Sequence, residues 1–319
     1  MEEAQDDDEI FVYMGGDQRV PDGVRRARIH EDVQIIPARA FQCRYQLVYV
    51  EFHDDIEIIE VGAFCGCWSL RSVKLLGIKI VKREAFKHCT GLTDVEFGNK
   101  LEIIENCAFY DCRSLRNIMM PSVRTIGRYA FWNCKQLTDL ELPEGLESLQ
   151  EGAFAYCERL RRIAVPMKSE MIENNVYYGC TNLTTVNLVG DIHNTVALLH
   201  LDRWRNDITD EINHINQVLL PITDIYSKTK AIQAWMRSVS RLLDHYKAEH
   251  QKALKEAATL LELALWKANL DDNKGGVLER EGVRTTRRQL KRARKEIGIT
   301  SGASIVIKNV LPFLTLLEC

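Results

Sequence analysis

The chain has 319 residues, 46% hydrophobic and 27% charged, with a formal net charge of −3 at pH 7. This is an ordinary soluble, globular composition, and it excludes a strongly polyanionic or polycationic protein. At ~150 residues per domain the length suggests two units. The first ten residues, MEEAQDDDEI, carry six acidic side chains and no apolar stretch, so no secretory signal is expected there. Residues 1–30 read as an acidic, partly disordered N-terminal segment, and the protein as cytoplasmic, with a nuclear location as the alternative.

From residue 36 to 188 one pattern of about 23 residues recurs seven times. Its aromatic anchors are Phe41, Phe64, Phe86, Phe109, Phe131, Phe154 and Tyr177, spaced 23, 22, 23, 22, 23 and 23 residues apart, a solenoid period. Five residues before each anchor stand Ile36, Ile59, Val81, Ile104, Ile126, Leu149 and Ile172. Six after it stand Leu47, Leu70, Leu92, Leu115, Leu137, Leu160 and Leu183. Positions nine and eleven after the anchor are also apolar in every copy, from Val50 and Phe52 to Val186 and Leu188. Two apolar columns separated by two residues are the signature of a strand with one buried face. Each copy thus contributes a short strand and a helical turn around Ala-Phe. Because one copy cannot close a core, stacking must build a parallel sheet and an internal row of aromatic rings.

Copies such as Leu101 to Leu115 (LEIIENCAFYDCRSL) and Leu146 to Leu160 (LESLQEGAFAYCERL) resemble the leucine-rich repeats of the BspA-like family, and Pro121, Pro143 and Pro166 occupy that family's strand-end position. The resemblance covers residues 31–190. It implies an α/β repeat solenoid of short parallel strands and helical turns, used as a recognition surface, and brings no catalytic residues. The end copies depart from the pattern as caps do: Arg44 replaces the first Cys, and Val176-Tyr177 the last Ala-Phe. Six cysteines share one column, Cys67, Cys89, Cys112, Cys134, Cys157 and Cys180. Parallel side chains do not converge for disulfides, so these read as buried, reduced thiols behaving as small hydrophobes. Cys65 lies at a variable position, so Cys65-Gly66-Cys67 is not expected to bind metal. Asn182-Leu183-Thr184 reads as a repeat turn, not a glycosylation site.

The outward strand positions carry the more specific pattern. Arg71, Arg116 and Arg161 alternate with Thr93, Thr138 and Thr184 seven residues after the anchors. Beside them stand Lys74, Asp94, Glu96, Asn117, Met119, Asp139, Glu141 and Arg162. Odd and even copies differ, which keeps like charges off adjacent strands. Two readings apply, a solubilising ladder and a polar face that recognises a protein partner.

After residue 190 the period changes to helical spacing, and residues 191–319 read as an all-α region. Helices are expected at about 198–220, with the stripe Trp204, Ile208, Ile212, Ile215 and Leu219, and at about 225–270. The second carries Ile232, Trp235, Val239, Leu242 and Tyr246 and contains neither Gly nor Pro. A third, at about 277–297, follows Asn273-Lys274-Gly275-Gly276 and precedes an apolar tail at 303–317, too short for a membrane span of ~20 residues. The stripes suit an antiparallel hairpin or small bundle; self-association through the long helix is the alternative.

Arg284, Arg287, Arg288, Lys291, Arg292, Arg294 and Lys295 form the densest basic run. It reads either as a solvated face pairing with Glu256, Glu262, Asp271 and Asp272 or as a nucleic-acid or nuclear-import patch, although no aromatic residue is interleaved. His245 and His250 stand five apart, so their imidazoles diverge where ligands four apart would converge. With no phosphate loop, nucleophile elbow or zinc spacing in the sequence, no cofactor, metal or catalytic residue is expected. The expected function is a non-catalytic interaction module or scaffold, without a membrane anchor. A nucleic-acid-associated protein acting through residues 280–295 is the alternative.

Overall fold

A computed structural model describes residues 10–168, 170–189, 202–220, 222, 224 and 227–275. The expected helix at 277–297 and the apolar tail lie outside these residues. The chain folds as a parallel-strand solenoid with two helices in its C-terminal region.

Each of the first six copies contributes two strands, and the seventh contributes one and a single bridge, Leu149↔Ile172. The longer ones, β2 (Arg26–Ile29), β4 (Tyr49–Glu51), β6 (Ser72–Leu75), β8 (Asp94–Phe97), β10 (Asn117–Met119), β12 (Asp139–Glu141), β14 (Arg162–Pro166) and β15 (Thr185–Val189), form with β1 (Phe11–Tyr13) a nine-stranded sheet in sequential order. The shorter ones, β3 (Ile35–Ile36), β5 (Ile58–Ile59), β7 (Ile80–Val81), β9 (Ile103–Ile104), β11 (Thr125–Ile126) and β13 (Ser148–Leu149), form a second, six-stranded sheet. Every pairing is parallel and in repeat register, such as Val73↔Val95, Val95↔Ile118 and Leu140↔Ile163. The apolar columns therefore face one interior. The anchor rings stack there: Phe86–Phe109, Phe109–Phe131 and Phe131–Phe154 lie 5.1, 5.2 and 5.1 Å apart with planes within 6° of parallel.

Around each anchor the chain makes a run of tight turns, closed by bonds such as Ala63 N–H to Glu60 O and Cys67 N–H to Phe64 O. It is bounded on both sides by left-handed backbone. Two residues before the anchors, Arg39, Gly62, Glu84, Cys107, Tyr129, Gly152 and Asn175 have φ between 55° and 64°. Two residues after them, Cys43, Gly66, His88, Asp111, Asn133, Tyr156 and Gly179 have φ between 59° and 78°. These bounds keep the run of turns short and aim alternate N–H groups along the solenoid axis. Residues 107, 109 and 111, for example, donate to the carbonyls of Arg128, Ala130 and Trp132 in the next copy. The column cysteines join this network, because each thiol lies within bonding distance of the preceding copy's anchor carbonyl: Cys67 Sγ to Phe41 O is 3.0 Å and Cys112 Sγ to Phe86 O 3.2 Å. They are therefore weak donors to buried acceptors as well as small hydrophobes.

Both ends of the stack are closed. At the N-terminal end the sheet reaches past residue 31, through β2, which pairs with β4 at the 23-residue spacing (Ala27↔Val50), to β1, which does not keep it (Phe11↔Ala27). Tyr13 lies over Phe41 at 5.1 Å and ends the aromatic row. Arg44, in the cysteine column, donates instead to Val20 O and Gln42 O, at 2.8 and 3.0 Å. At the other end α1 (Asp202–Leu219) and the start of α2 (Ser227–Gly275) cover the last copy. Asn216 Oδ1 accepts from Val186 N–H on the edge strand, and Thr229 Oγ1 accepts from Tyr177 N–H, the bond a further repeat would have made. Lys228 Nζ donates to the carbonyls of Thr181 and Leu183, both at 2.6 Å, and Gln233 Nε2 to Ile172 O at 2.9 Å.

The buried stripe of these helices is Ile208, Ile215 and Leu219 on α1 and Ile232, Trp235, Met236, Val239 and Tyr246 on α2, and Trp235 Nε1 donates to Glu211 O at 3.0 Å. The solenoid and the helices up to Leu242 form one compact unit, and the chain from Leu243 belongs to a second. In that second unit His245 lies 3.4 Å from Glu249, one turn further along α2. No helix among the described residues is long and apolar enough to cross a membrane.

Candidate recognition face

The outward side of the nine-stranded sheet collects the charged residues singled out in the sequence. Because successive strands are in register, Ser72, Asp94 and Asn117 stand side by side in one row, and Lys74, Glu96, Met119 and Glu141 in another. Asp139 faces Arg162 in the adjoining part of the sheet. Arg71, Arg116 and Arg161 immediately precede β6, β10 and β14. All eleven candidate residues, from Arg71 to Arg162, are exposed.

The sign of charge alternates strand by strand. Lys74 on β6 and Arg71 just before it are followed by Asp94 and Glu96 on β8, Arg116 just before β10, Asp139 and Glu141 on β12, and Arg162 on β14 with Arg161 just before it. Neighbouring strands neutralise this only in part: Lys74 Nζ lies 3.4 Å from Glu96, and Arg162 Nε 2.9 Å from Asp139. Among the described residues Arg71, Arg116, Arg161, Asp94 and Glu141 take no ion-pair partner. Such exposed pairs contribute only ~0.2–1 kcal/mol each to folding, so stability does not account for the pattern. At the centre of the strip Met119 is 78% exposed, an apolar side chain between two acidic strands.

Sequence reasoning passed over a second surface feature. Tyr45 and Trp68, both four residues after their anchors, are about half exposed and pack together with centroids 4.4 Å apart. Their shared repeat position was the available signal. On the sheet face, Tyr49 of β4 lies under the guanidinium of Arg26 at 5.8 Å.

The chemistry of the interior is inert by comparison. Burial pushes the Cys67 thiol up to about 12 and raises Cys89, Cys112, Cys134 and Cys157 strongly, so they remain protonated and poor nucleophiles. Cys65 and Cys107, half-buried, are raised less, also chiefly by desolvation. Asp111 is the one buried carboxylate among the described residues. Desolvation would raise it, but hydrogen bonds from Arg113, Asn133 and His88 outweigh that and hold it below the usual range. The basic run from Arg284 to Lys295 lies outside the described residues.

Residues 34–122 and 79–196 match the BspA type leucine rich repeat region family, in six copies. No curated protein matches the sequence. Among solved structures, a leucine-rich repeat protein from Bacteroides ovatus is 29% identical, with a TM-score of 0.42; the match covers 51% of this chain and 42% of that one. A leucine rich repeat protein of T. pallidum is 21% identical over 60% of this chain and 88% of its own, with a TM-score of 0.38. A leucine rich cell surface protein of Faecalibacterium prausnitzii is 20% identical over 54% of this chain and 62% of its own, with a TM-score of 0.34. The chain thus spans less than half of the Bacteroides ovatus protein. The family match extends over about half of the chain and coincides with the stacked copies, and on that ground this protein belongs to the BspA type leucine-rich-repeat family.

Proposed function

We propose that this chain is a non-catalytic protein-interaction module, or scaffold, that holds a protein partner on the outward face of its nine-stranded sheet. Leucine-rich-repeat proteins typically mediate protein interactions or surface adhesion. The observation that carries the reading is the exposed strip from β6 to β14, whose charges alternate in sign and are only partly paired with one another. A face fixed by a packed solenoid presents those charges with little entropy left to lose on binding, which favours specific association.

The test is affinity capture with the full chain, comparing the native sequence with Arg116→Glu/Arg161→Glu. The captured partner is expected to be lost on reversal while the circular dichroism spectrum is unchanged. Neutralising Arg287, Arg288, Lys291 and Arg292 should leave it bound. Capture that survives the sheet reversal and disappears with the basic run would make the solenoid a spacer.

A further inference from the structure

We propose that the partner element held on this face is an α-helix, laid along the repeat axis across β6 to β14, with acidic and basic side chains alternating once per turn. The inference rests on the reading of the sheet face given above and adds the shape and charge order of what it binds.

Parallel strands lie ~4.8 Å apart, so the charge on the strip changes sign every ~4.8 Å. A helix advances ~5.4 Å per turn. Over the four steps from β6 to β14 the two drift apart by about 2 Å, which long arginine, lysine and glutamate side chains absorb. An extended chain repeats its facing side chains every ~6.7 Å and drifts by about 8 Å over the same steps, so its later charges meet the wrong strand. A nucleic-acid strand carries one sign only and repels the acidic strands β8 and β12.

The width of the strip also suits a helix. The strands of the strip are three to five residues long. At ~3.3 Å per residue that is about 10–17 Å, a track matching the ~10–12 Å diameter of a helix with its side chains. Met119, exposed at the middle of that track, supplies an apolar contact for the central turn. The complementary helix places a carboxylate near Arg71, Arg116 and Arg161 and a cation near Asp94 with Glu96 and near Asp139 with Glu141. Opposite charges one turn apart also stabilise such a helix internally, so little ordering is required when it docks.

The experiment uses fluorescent peptides of four to five turns and the full chain, read by anisotropy. One peptide alternates Glu and Lys once per turn along one face. A second has the same composition and helicity with its Glu residues grouped in one half and its Lys residues in the other. A third is the alternating peptide with a central proline. The alternating helix should bind about tenfold tighter than either control, and Arg116→Glu/Arg161→Glu should erase the preference. Should the reversal impair folding, Arg116→Gln/Arg161→Gln serves the same purpose.

Equal binding by the grouped or proline-interrupted peptide overturns the helix assignment. If in addition the captured partner is still lost on sheet reversal, the face reading stands and only the helix falls; if capture is also indifferent to the reversal, both fall. Sedimentation of the chain alone showing a dimer that the same reversal dissociates would put a second copy on the face, and would equally overturn the proposal.

Discussion

Replacing Tyr177 by Phe removes one oxygen from the end of the aromatic row, and it should make the protein more stable. Six of the seven anchors are Phe; the seventh carries a hydroxyl that is fully buried and has no hydrogen-bond partner among the described residues. Its ring stacks on Phe154 at 6.4 Å, looser than the 5.1 Å between Phe131 and Phe154, so loss of the oxygen strains no tight contact. The main-chain bond from Tyr177 N–H to Thr229 does not involve the hydroxyl and is retained.

An unsatisfied buried hydroxyl costs about 1–3 kcal/mol, and that is the expected gain in urea denaturation. For a unit of this size it corresponds to about 2–4 °C in Tm for each kcal/mol. Burial raises the Tyr177 phenol far above its ordinary value. The unfolded phenol ionises above pH ~10 and the folded one does not, so the native chain loses stability in that range through this group. The advantage of the variant should therefore widen above pH ~10. An unchanged or lower midpoint for Tyr177→Phe would refute the reasoning, since it would require a partner for the hydroxyl.

Phe109→Ala should cost ~3–5 kcal/mol, because its ring is stacked on both sides and meets Phe97 edge-on at 5.8 Å; a loss under ~1 kcal/mol in the same melts would mean the row is not a packed core. Lys228→Met keeps the stem but removes the donor to two terminal carbonyls, and about 2 kcal/mol should be lost. Hydrogen exchange should show the loosening concentrated in the last copy, and uniform loosening of all seven would contradict a local capping role. Alkylation of the native protein should label exposed Cys43 first and leave Cys89, Cys112, Cys134 and Cys157 unmodified until denaturant is added. Mass spectrometry that found these four modified at the rate of Cys43, or bridged to one another, would count against the buried ladder.

The solenoid was legible in the sequence because every copy must bury the same positions against its neighbours. Repetition turns a tertiary requirement into a period, so the columns of Ile36, Phe41, Leu47 and Val50 could be read without coordinates. The same repetition placed Arg71, Asp94, Arg116 and Asp139 on one side and exposed their alternation, although how far they pair depends on side-chain positions that no spacing reveals. The left-handed backbone beside each anchor was not legible. Only four of those fourteen positions are Gly, and residues such as Glu84, Cys107 and Tyr129 adopt it at ~1 kcal/mol or more each because the inter-copy hydrogen bonds demand it. The ends were also decided by tertiary structure. Where the stack stops, the missing neighbour is replaced by unlike groups, Tyr13 over Phe41 at one end and Lys228 and Thr229 against the last copy at the other. These contacts occur once, between residues far apart in the chain, and a single occurrence leaves no period to find.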